Sequence, residues 1–445
     1  MHVVVIGAGT GGLCLAHGLK RAGVSVGVYE RHADRTDGSY GYRVGIDPTG
    51  TAALRACLPP DLFATFAATC ARGPRRINVL TEKFGVTASF PFEPAEGEYS
   101  VSRRTLRQVL LTGLEDNVHY GKVFDRYEQH GDKVTAYFQD GTSTTGDVLV
   151  AADGTNSRIR RQYLPQAVVA DSGVRAVSGT IPLTSEVRAL LPPELLDGIS
   201  MTFASKGQFC IWHVMELRWD REGAPKLGVP DDDAALLTRW PGLRHDGTRD
   251  CVTWEFSATA DAFPETLREM RGEELVRLVL DLTPHWHPDF RQLFELTDPG
   301  GVVPFEDRTS EPIPPWEATN VTLLGDAVHT MPLGRGPGGN TALRDAALLS
   351  RRLAGAARGE GTLLGSVASY EAEMTGYAFA RIADTLGQHG TGPDRALCKP
   401  HAGRFALALT RAFFRTASTV PPLRRRLVAD LHGHGSDTAV EPLPH

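Results

Sequence analysis

The chain has 445 residues, 41% hydrophobic and 22% charged, a balance that fits a folded globular protein and excludes long disorder. With 47 Lys and Arg against 53 Asp and Glu the net charge is −6, so the electrostatics favour neither nucleic acid nor an anionic membrane, and a small-molecule substrate is expected. No stretch reaches the roughly 18 apolar residues of a membrane span, and the N-terminus lacks the pattern of a signal peptide. A cytoplasmic monomer or homodimer, with no nucleic-acid or membrane partner, is the expectation. Cys14, Cys57, Cys70, Cys210, Cys251 and Cys398 are dispersed with no CxxC pair, so they read as reduced core thiols and no metal site is expected.

Taken in order, residues 3–6 are an all-apolar strand, 7–12 a glycine turn, 13–21 a helix and 24–29 a second strand, which makes a βαβ unit. A continuous apolar strand implies burial on both faces and hence a parallel sheet. Strands at 134–138 and 147–151 flank an Asp140-Gly141 turn and return to that sheet. From about 175 to 285 the pattern changes to a largely antiparallel sheet. It includes 199–203 and 209–215 across the turn Ser205-Lys206-Gly207-Gln208, and a strand at 252–257. Residues 273–282 read as a helix, 304–316 as a Pro-rich connector, 321–324 as a buried strand and 340–353 as a helix. The chain is helical from about 366, with Phe405, Ala408, Leu409, Ala412 and Phe413 at helical spacing beside several arginines. That segment is either a capping helix with a solvated basic face, the plainer reading, or a membrane-surface helix. Residues 433–445 read as a frayed polar end.

The glycine turn carries the first functional signal. Gly7, Gly9 and Gly12, with Thr10 and Gly11 between them, follow a strand and open a helix, the arrangement that receives a dinucleotide pyrophosphate on a helix N-terminus. Glu30, with Arg31 beside it, ends the second strand, where an acid accepts hydrogen bonds from an adenosine ribose. This fingerprint alone does not separate NAD from FAD.

Two later segments make that distinction. Asp153-Gly154-Thr155-Asn156-Ser157-Arg158-Ile159-Arg160 is similar to the D-G-x-x-S-x-[IV]-R segment of FAD-dependent aromatic-hydroxylase-type monooxygenases. Gly325-Asp326-Ala327-Val328-His329-Thr330-Met331-Pro332, continuing through Gly336, Gly338, Asn340 and Asp345, resembles the same family's G-D-A-x-H-x-x-P…G-x-G-x-N…D segment. The resemblance spans about residues 1–355 and implies an α/β fold. In it a Rossmann-like FAD-binding domain (1–75, 100–175 and 285–365) is interwoven with a largely antiparallel β-sheet substrate domain (76–99 and 176–284), followed by a C-terminal helical region (366–445).

The resemblance also implies roles. Asp326 would accept hydrogen bonds from the flavin ribityl chain, and Pro332, Gly336, Gly338, Gly339 and Asn340 would face the isoalloxazine. Arg43, in the loop after the βαβ unit, and Arg103 would meet the cofactor, with Arg104 competing for the role of Arg103. Asp153 and Gly154 would shape the site, and Arg160 is a candidate for nicotinamide contact. The family chemistry runs through NADPH or NADH reducing FAD, addition of O2 at the flavin C4a, and oxygen transfer from that hydroperoxide to a small aromatic or polycyclic secondary metabolite. No second glycine fingerprint exists, so the nicotinamide would bind transiently.

Within the antiparallel sheet, strand alternation sets Phe209, Ile211 and His213 on one face. His213 is the candidate base or orienting group, or a histidine merely bonded in place, and Arg43 is the other candidate at the reacting centre. Met201 and Phe203 line an apolar pocket or belong to the core. A halogenating relative would carry a W-x-W-x-I-P segment, which is missing. The alternative is a non-redox cyclase or binding protein that retains FAD as a structural element.

Overall fold

The computed structural model describes residues 1–38, 42–332, 337–391 and 404–432. The first apolar run becomes the strand His2–Ile6, central in a five-stranded parallel sheet ordered Val321–Leu323, Val148–Ala151, His2–Ile6, Ser25–Tyr29, Val118–His119. Val3, Val4 and Val5 are fully buried, because the helices Thr10–Arg21, Arg103–Leu111 and Pro337–Ala357 share one core with this sheet. The Asp140-Gly141 turn feeds a short polar strand, Ser143–Gly146, before the chain enters Val148–Ala151. The sequence reading had joined those two strands directly.

The second sheet has seven strands in the order Val303–Ser310, Val169–Pro182, Cys251–Thr259, Phe209–Met215, Gly198–Phe203, Arg76–Thr81, Val86–Pro91. It is antiparallel except where Gly198–Phe203 runs parallel to Arg76–Thr81. The turn at 205–208 forms as expected, with Lys206 at φ 62° and Gly207 at φ 67°. One face of the sheet, with Cys210, Trp212, Trp254 and Phe256, packs on the helices Glu273–Leu282 and Pro288–Glu295. Trp212 stacks on Phe290 at 5.2 Å.

Two stretches that the sequence reading grouped with the cofactor segments pack on or pair with this sheet. The helix Pro288–Glu295 buries Phe290, Leu293 and Phe294 beneath it. The supposed connector contains its edge strand, Val303–Ser310, where Pro304 is tolerated because an edge strand pairs on one side only.

The helix Leu363–Thr391 docks Val367, Tyr370 and Met374 into the cofactor-domain core. The helix Arg404–Thr419 caps the outer end of the seven-stranded sheet. It does so with Leu407, Phe414 and Ala417 against Val79, Phe90 and Phe203, and Arg411 pairs with Glu82. The capping reading holds, but the stripe is reversed: Phe405, Leu409 and Phe413 face outward. This helix carries apolar residues on two faces, and the shape of the sheet selects between them. Among the described residues no helix is long and apolar enough to cross a membrane. The five described cysteines are buried and unbridged; Cys398 and residues 433–445 lie outside the described residues.

Candidate cofactor and substrate site

Two glycines after the first strand admit no side chain. Gly7 has φ 109°, and a Cβ on it would overlap the Ala152 carbonyl; one on Gly12 would overlap the Gly7 carbonyl oxygen. Gly11 packs against Leu324 and Ala342. Gly9 differs, since a Cβ there would meet nothing within 4 Å, and no side chain caps the helix that starts at Thr10. The first-turn N–H groups of Thr10, Gly11 and Gly12 thus have no side-chain acceptor beside an open space, the condition an anionic diphosphate requires.

Glu30 is buried at the end of the second strand. Its carboxylate accepts from the Ala8 N–H at 2.7 Å and the His32 N–H at 3.0 Å, with the His32 ring 2.9 Å away. Burial alone would raise its pKa, but these contacts outweigh it and hold Glu30 at about 2. Arg31 is exposed beside it. Arg107, which the sequence reading passed over, crosses behind this corner: its guanidinium donates to the carbonyls of Arg35 at 2.9 Å and Asp37 at 3.0 Å.

The two acidic motifs separate into distinct roles. Asp153 accepts from the Arg158 N–H at 3.0 Å, while its other carboxylate oxygen is buried with no partner. Burial raises its pKa. Gly154, at φ 78°, leaves open space beside it. Arg160, the candidate for nicotinamide contact, is buried and donates to the carbonyls of Ala327 at 2.9 Å and Thr155 at 2.8 Å, tying the two motifs together.

Gly325, at φ 59°, turns the chain so that Asp326 projects away from the core. His329 and Asp345 form a fully buried pair at 2.6 Å, and Asp345 also accepts from the Gly325 N–H at 2.8 Å and the Tyr377 hydroxyl at 2.6 Å. Burial opposes charge on His329, yet the Asp345 carboxylate more than compensates and raises its pKa. His329 is thus an anchor of the motif.

The arginines are resolved by geometry. Arg103 lies over the Tyr42 ring at 5.3 Å, and its charge reaches Asp326, whereas Arg104 turns toward the Asp246 carbonyl. Arg43 donates to Ser100 at 2.8 Å from a two-stranded ribbon, Arg43–Ile46 with Tyr99–Ser102. Asn340 donates to the Gly45 carbonyl at 2.9 Å and accepts from the Asp47 N–H at 3.0 Å, so its side chain fixes the long helix to that ribbon. At the N-terminus of this helix, Gly338 and Gly339 leave room beside Asp326 and Val44, and Pro332 is buried just before it. Gly336 lies outside the described residues.

The second face of the seven-stranded sheet looks toward this region. Ile211 and Glu255 are opposite each other on adjacent strands, as are His213 and Thr253. The Arg43 guanidinium lies close enough to His213 for its charge to act on the imidazole, so the cofactor-domain ribbon meets this face of the sheet there; Glu255 shares that face, and Asp326 is exposed on the cofactor side. Burial, then the Arg43 charge, drives the His213 pKa well down, so the imidazole is neutral, and its Nδ1 has no hydrogen-bond partner. Burial also pushes Arg43 down to about 10 and raises Asp326. Phe203 belongs to the core under the capping helix, with Met201 at its margin. Glu255 was missed, although the alternation Val252-Thr253-Trp254-Glu255-Phe256-Ser257 already sets it opposite the apolar face.

The open helix N-terminus, the orphaned Asp153 oxygen and the projecting Asp326 fit a flavin dinucleotide. Comparison with known proteins agrees. Residues 282–381 match the FAD binding domain family, and residues 5–71 match the NAD(P)-binding Rossmann-like domain family. The chain is 30% identical over 422 residues to a dual O-methyltransferase/FAD-dependent monooxygenase of Phaeosphaeria nodorum, covering 86% of this chain but 45% of that protein. It thus spans about half the length of the first curated relatives it matches. An FAD-dependent monooxygenase of Trichoderma harzianum is 28% identical, with 84% and 89% of the two chains covered. A crystal structure described as an FAD-containing monooxygenase of Photorhabdus luminescens is 30% identical, covers 89% of this chain and 98% of its own, and superposes with a TM-score of 0.72. The Klebsiella pneumoniae protein HpxO complexed with FAD and uric acid, 21% identical over 98% and 96% of the chains with a TM-score of 0.70, shares the fold. This chain belongs to the FAD-dependent monooxygenases of the aromatic-hydroxylase type.

Proposed function

We propose that the protein is an NAD(P)H-dependent flavin monooxygenase that adds one oxygen atom to a small aromatic or polycyclic metabolite. The observation that carries this reading is the meeting of a cofactor-domain group, Arg43, with a substrate-sheet group, His213, on the face of the sheet that also bears Glu255. When bound and reduced by NADPH or NADH, FAD supplies O2 activation at its C4a position. The chain's own residues do the rest. Thr10, Gly11 and Gly12 would hold the diphosphate, Glu30 the ribose, and Asp326 with Arg103 the ribityl region. Arg43 would add positive charge beside the bound cofactor. His213, kept neutral, orients the substrate through hydrogen bonding and is a poor proton acceptor. The walls of the sheet exclude water from the reacting atoms.

The test is a panel of aromatic compounds scored by substrate-stimulated NADPH and NADH consumption, with products examined for one added oxygen. The purified protein is expected to bind FAD and turn yellow. A protein that acquires no flavin absorbance after FAD is added refutes the reading. Flavin that binds but stays oxidised when NADPH, NADH and the panel are supplied without O2 favours the cyclase or binding-protein alternative.

A further inference from the structure

The face of the sheet that meets Arg43 holds a group that the flavin-binding scheme does not use. Glu255 sits in mid-strand on the cofactor-facing side of the sheet, opposite Ile211 on one neighbouring strand and Ser178 on the other. His213 is its diagonal neighbour two residues along, within reach of one small ring bound between them. Asp307, on the edge strand, adds a second negative charge; its chain neighbours Glu306 and Arg308 pair with each other at 2.9 Å. The charged and titratable groups near Glu255 are thus Asp307 on the edge strand, His213 on the neighbouring strand and, on that same strand, the Cys210 thiol; Arg43 acts on His213. A carboxylate in such a position is unfavourable unless something hydrogen-bonds to it. Independently of the acids, the buried Nδ1 of His213 on the same face has no partner. Two polar side chains, one an acceptor of protons and the other neutral, thus share a face with Ile211, Ser178 and Thr253.

We propose that Glu255 is a catalytic residue that takes the proton of a phenolic hydroxyl on the substrate, with Asp307 as the positioning residue that keeps it basic. This rests on the monooxygenase reading above and names its substrate class: a flat phenol lying against Ile211, with its hydroxyl on Glu255 and a second polar group on His213. The O–H bond of the phenol breaks and a new one forms on the carboxylate. The electron pair left on the phenolate oxygen enriches the ring carbons that receive oxygen from the FAD, NAD(P)H and O2 system. When the oxygenated carbon sheds its own proton and the ring regains aromaticity, the phenolate oxygen recovers the proton from Glu255, which ends as a carboxylate. Burial first and Asp307 second raise Glu255 to about 7, which narrows the gap to a phenol and sets the group near working pH.

The experiment uses the FAD-loaded full chain and two probes, 2-naphthol and its methyl ether, with dissociation constants read from the change in flavin absorbance. Wild type is expected to bind 2-naphthol at least about tenfold more tightly at pH 8 than the ether, the equivalent of about 1.4 kcal/mol. The preference should decline below pH 7 as Glu255 is protonated. Glu255→Gln should reduce it to about twofold without loss of flavin. Asp307→Asn should retain it and move its pH midpoint to lower pH, which a merely structural residue would not do. A wild-type protein without preference for the hydroxyl compound, a Glu255→Gln variant that keeps the preference, or an unmoved midpoint in Asp307→Asn overturns the proposal. Failure of the monooxygenase reading would register separately, as flavin that NAD(P)H does not reduce.

Discussion

Replacing Asp345 by alanine should cost more stability than any other single truncation in the cofactor domain. Three donors converge on this fully buried carboxylate: the Gly325 N–H at 2.8 Å, His329 Nε2 at 2.6 Å and the Tyr377 hydroxyl at 2.6 Å. Removing the acceptor leaves all three unpaired in the core, and breaking a buried ion pair by deleting one partner costs about 3–5 kcal/mol. Tyr377→Phe removes one donor and leaves the carboxylate two others, so about 2 kcal/mol is expected, the value of a hydrogen bond to a charged group. Urea unfolding of the FAD-free variants, followed by circular dichroism, measures both. The release of the Gly325–Asp326 turn should also weaken FAD binding in Asp345→Ala. If Asp345→Ala is no more destabilising than Tyr377→Phe, the carboxylate is not the organising centre and the reasoning fails.

Asp326→Ala and Arg103→Ala should each weaken FAD binding about 10- to 100-fold, the loss of one charge-assisted hydrogen bond, whereas His213→Ala should leave it within about threefold. Titration of the apoprotein with FAD decides this, and equal losses for all three would contradict the roles assigned. Glu30 yields a pH-dependent stability difference. Its pKa is lowered from about 4.5 to about 2 on folding, so its contribution is complete above about pH 5 and disappears as the pH falls toward 2. Near neutral pH the shift is worth about 3 kcal/mol. The urea midpoint of Glu30→Gln should therefore lie below that of wild type at pH 7 and converge with it at the acid end; a gap that persists unchanged to acid pH would contradict the assignment.

Most of the cofactor domain was legible in the sequence because its requirements are local. A strand buried on both faces is uniformly apolar, Gly7 and Gly12 face backbone atoms that admit no Cβ, and Glu30 closes its strand at the spacing a ribose needs. Sequence reasoning failed where tertiary contact decides. Whether Arg103 or Arg104 turns inward depends on the rotation of a helix whose first turn both occupy. Residues 303–310 contain a proline and alternating charges, so nothing local reveals that they form the edge of the substrate sheet. The helix Arg404–Thr419 carries apolar residues on two faces, and only the surface it meets selects Leu407, Phe414 and Ala417. Glu255 was visible as a polar position in an alternating strand, but its setting depends on Asp307, some fifty residues later in the chain.

The order in which the chain visits its two sheets has a further consequence. It leaves the parallel sheet to lay down Arg76–Thr81 and Val86–Pro91, returns for the helix Arg103–Leu111 and strand Val148–Ala151, departs again from Val169 to Ser310, and comes back at Val321. At the last return Ser310 and Thr330 exchange hydrogen bonds of 2.8 and 2.9 Å, fastening the edge of one sheet to the turn that carries Asp326. No single cut in the polypeptide releases either half as a contiguous piece. Exchanging the whole substrate-facing wall with another chain of this fold therefore takes two separate segments, 76–91 and 169–310, joined to the cofactor sheet at four points.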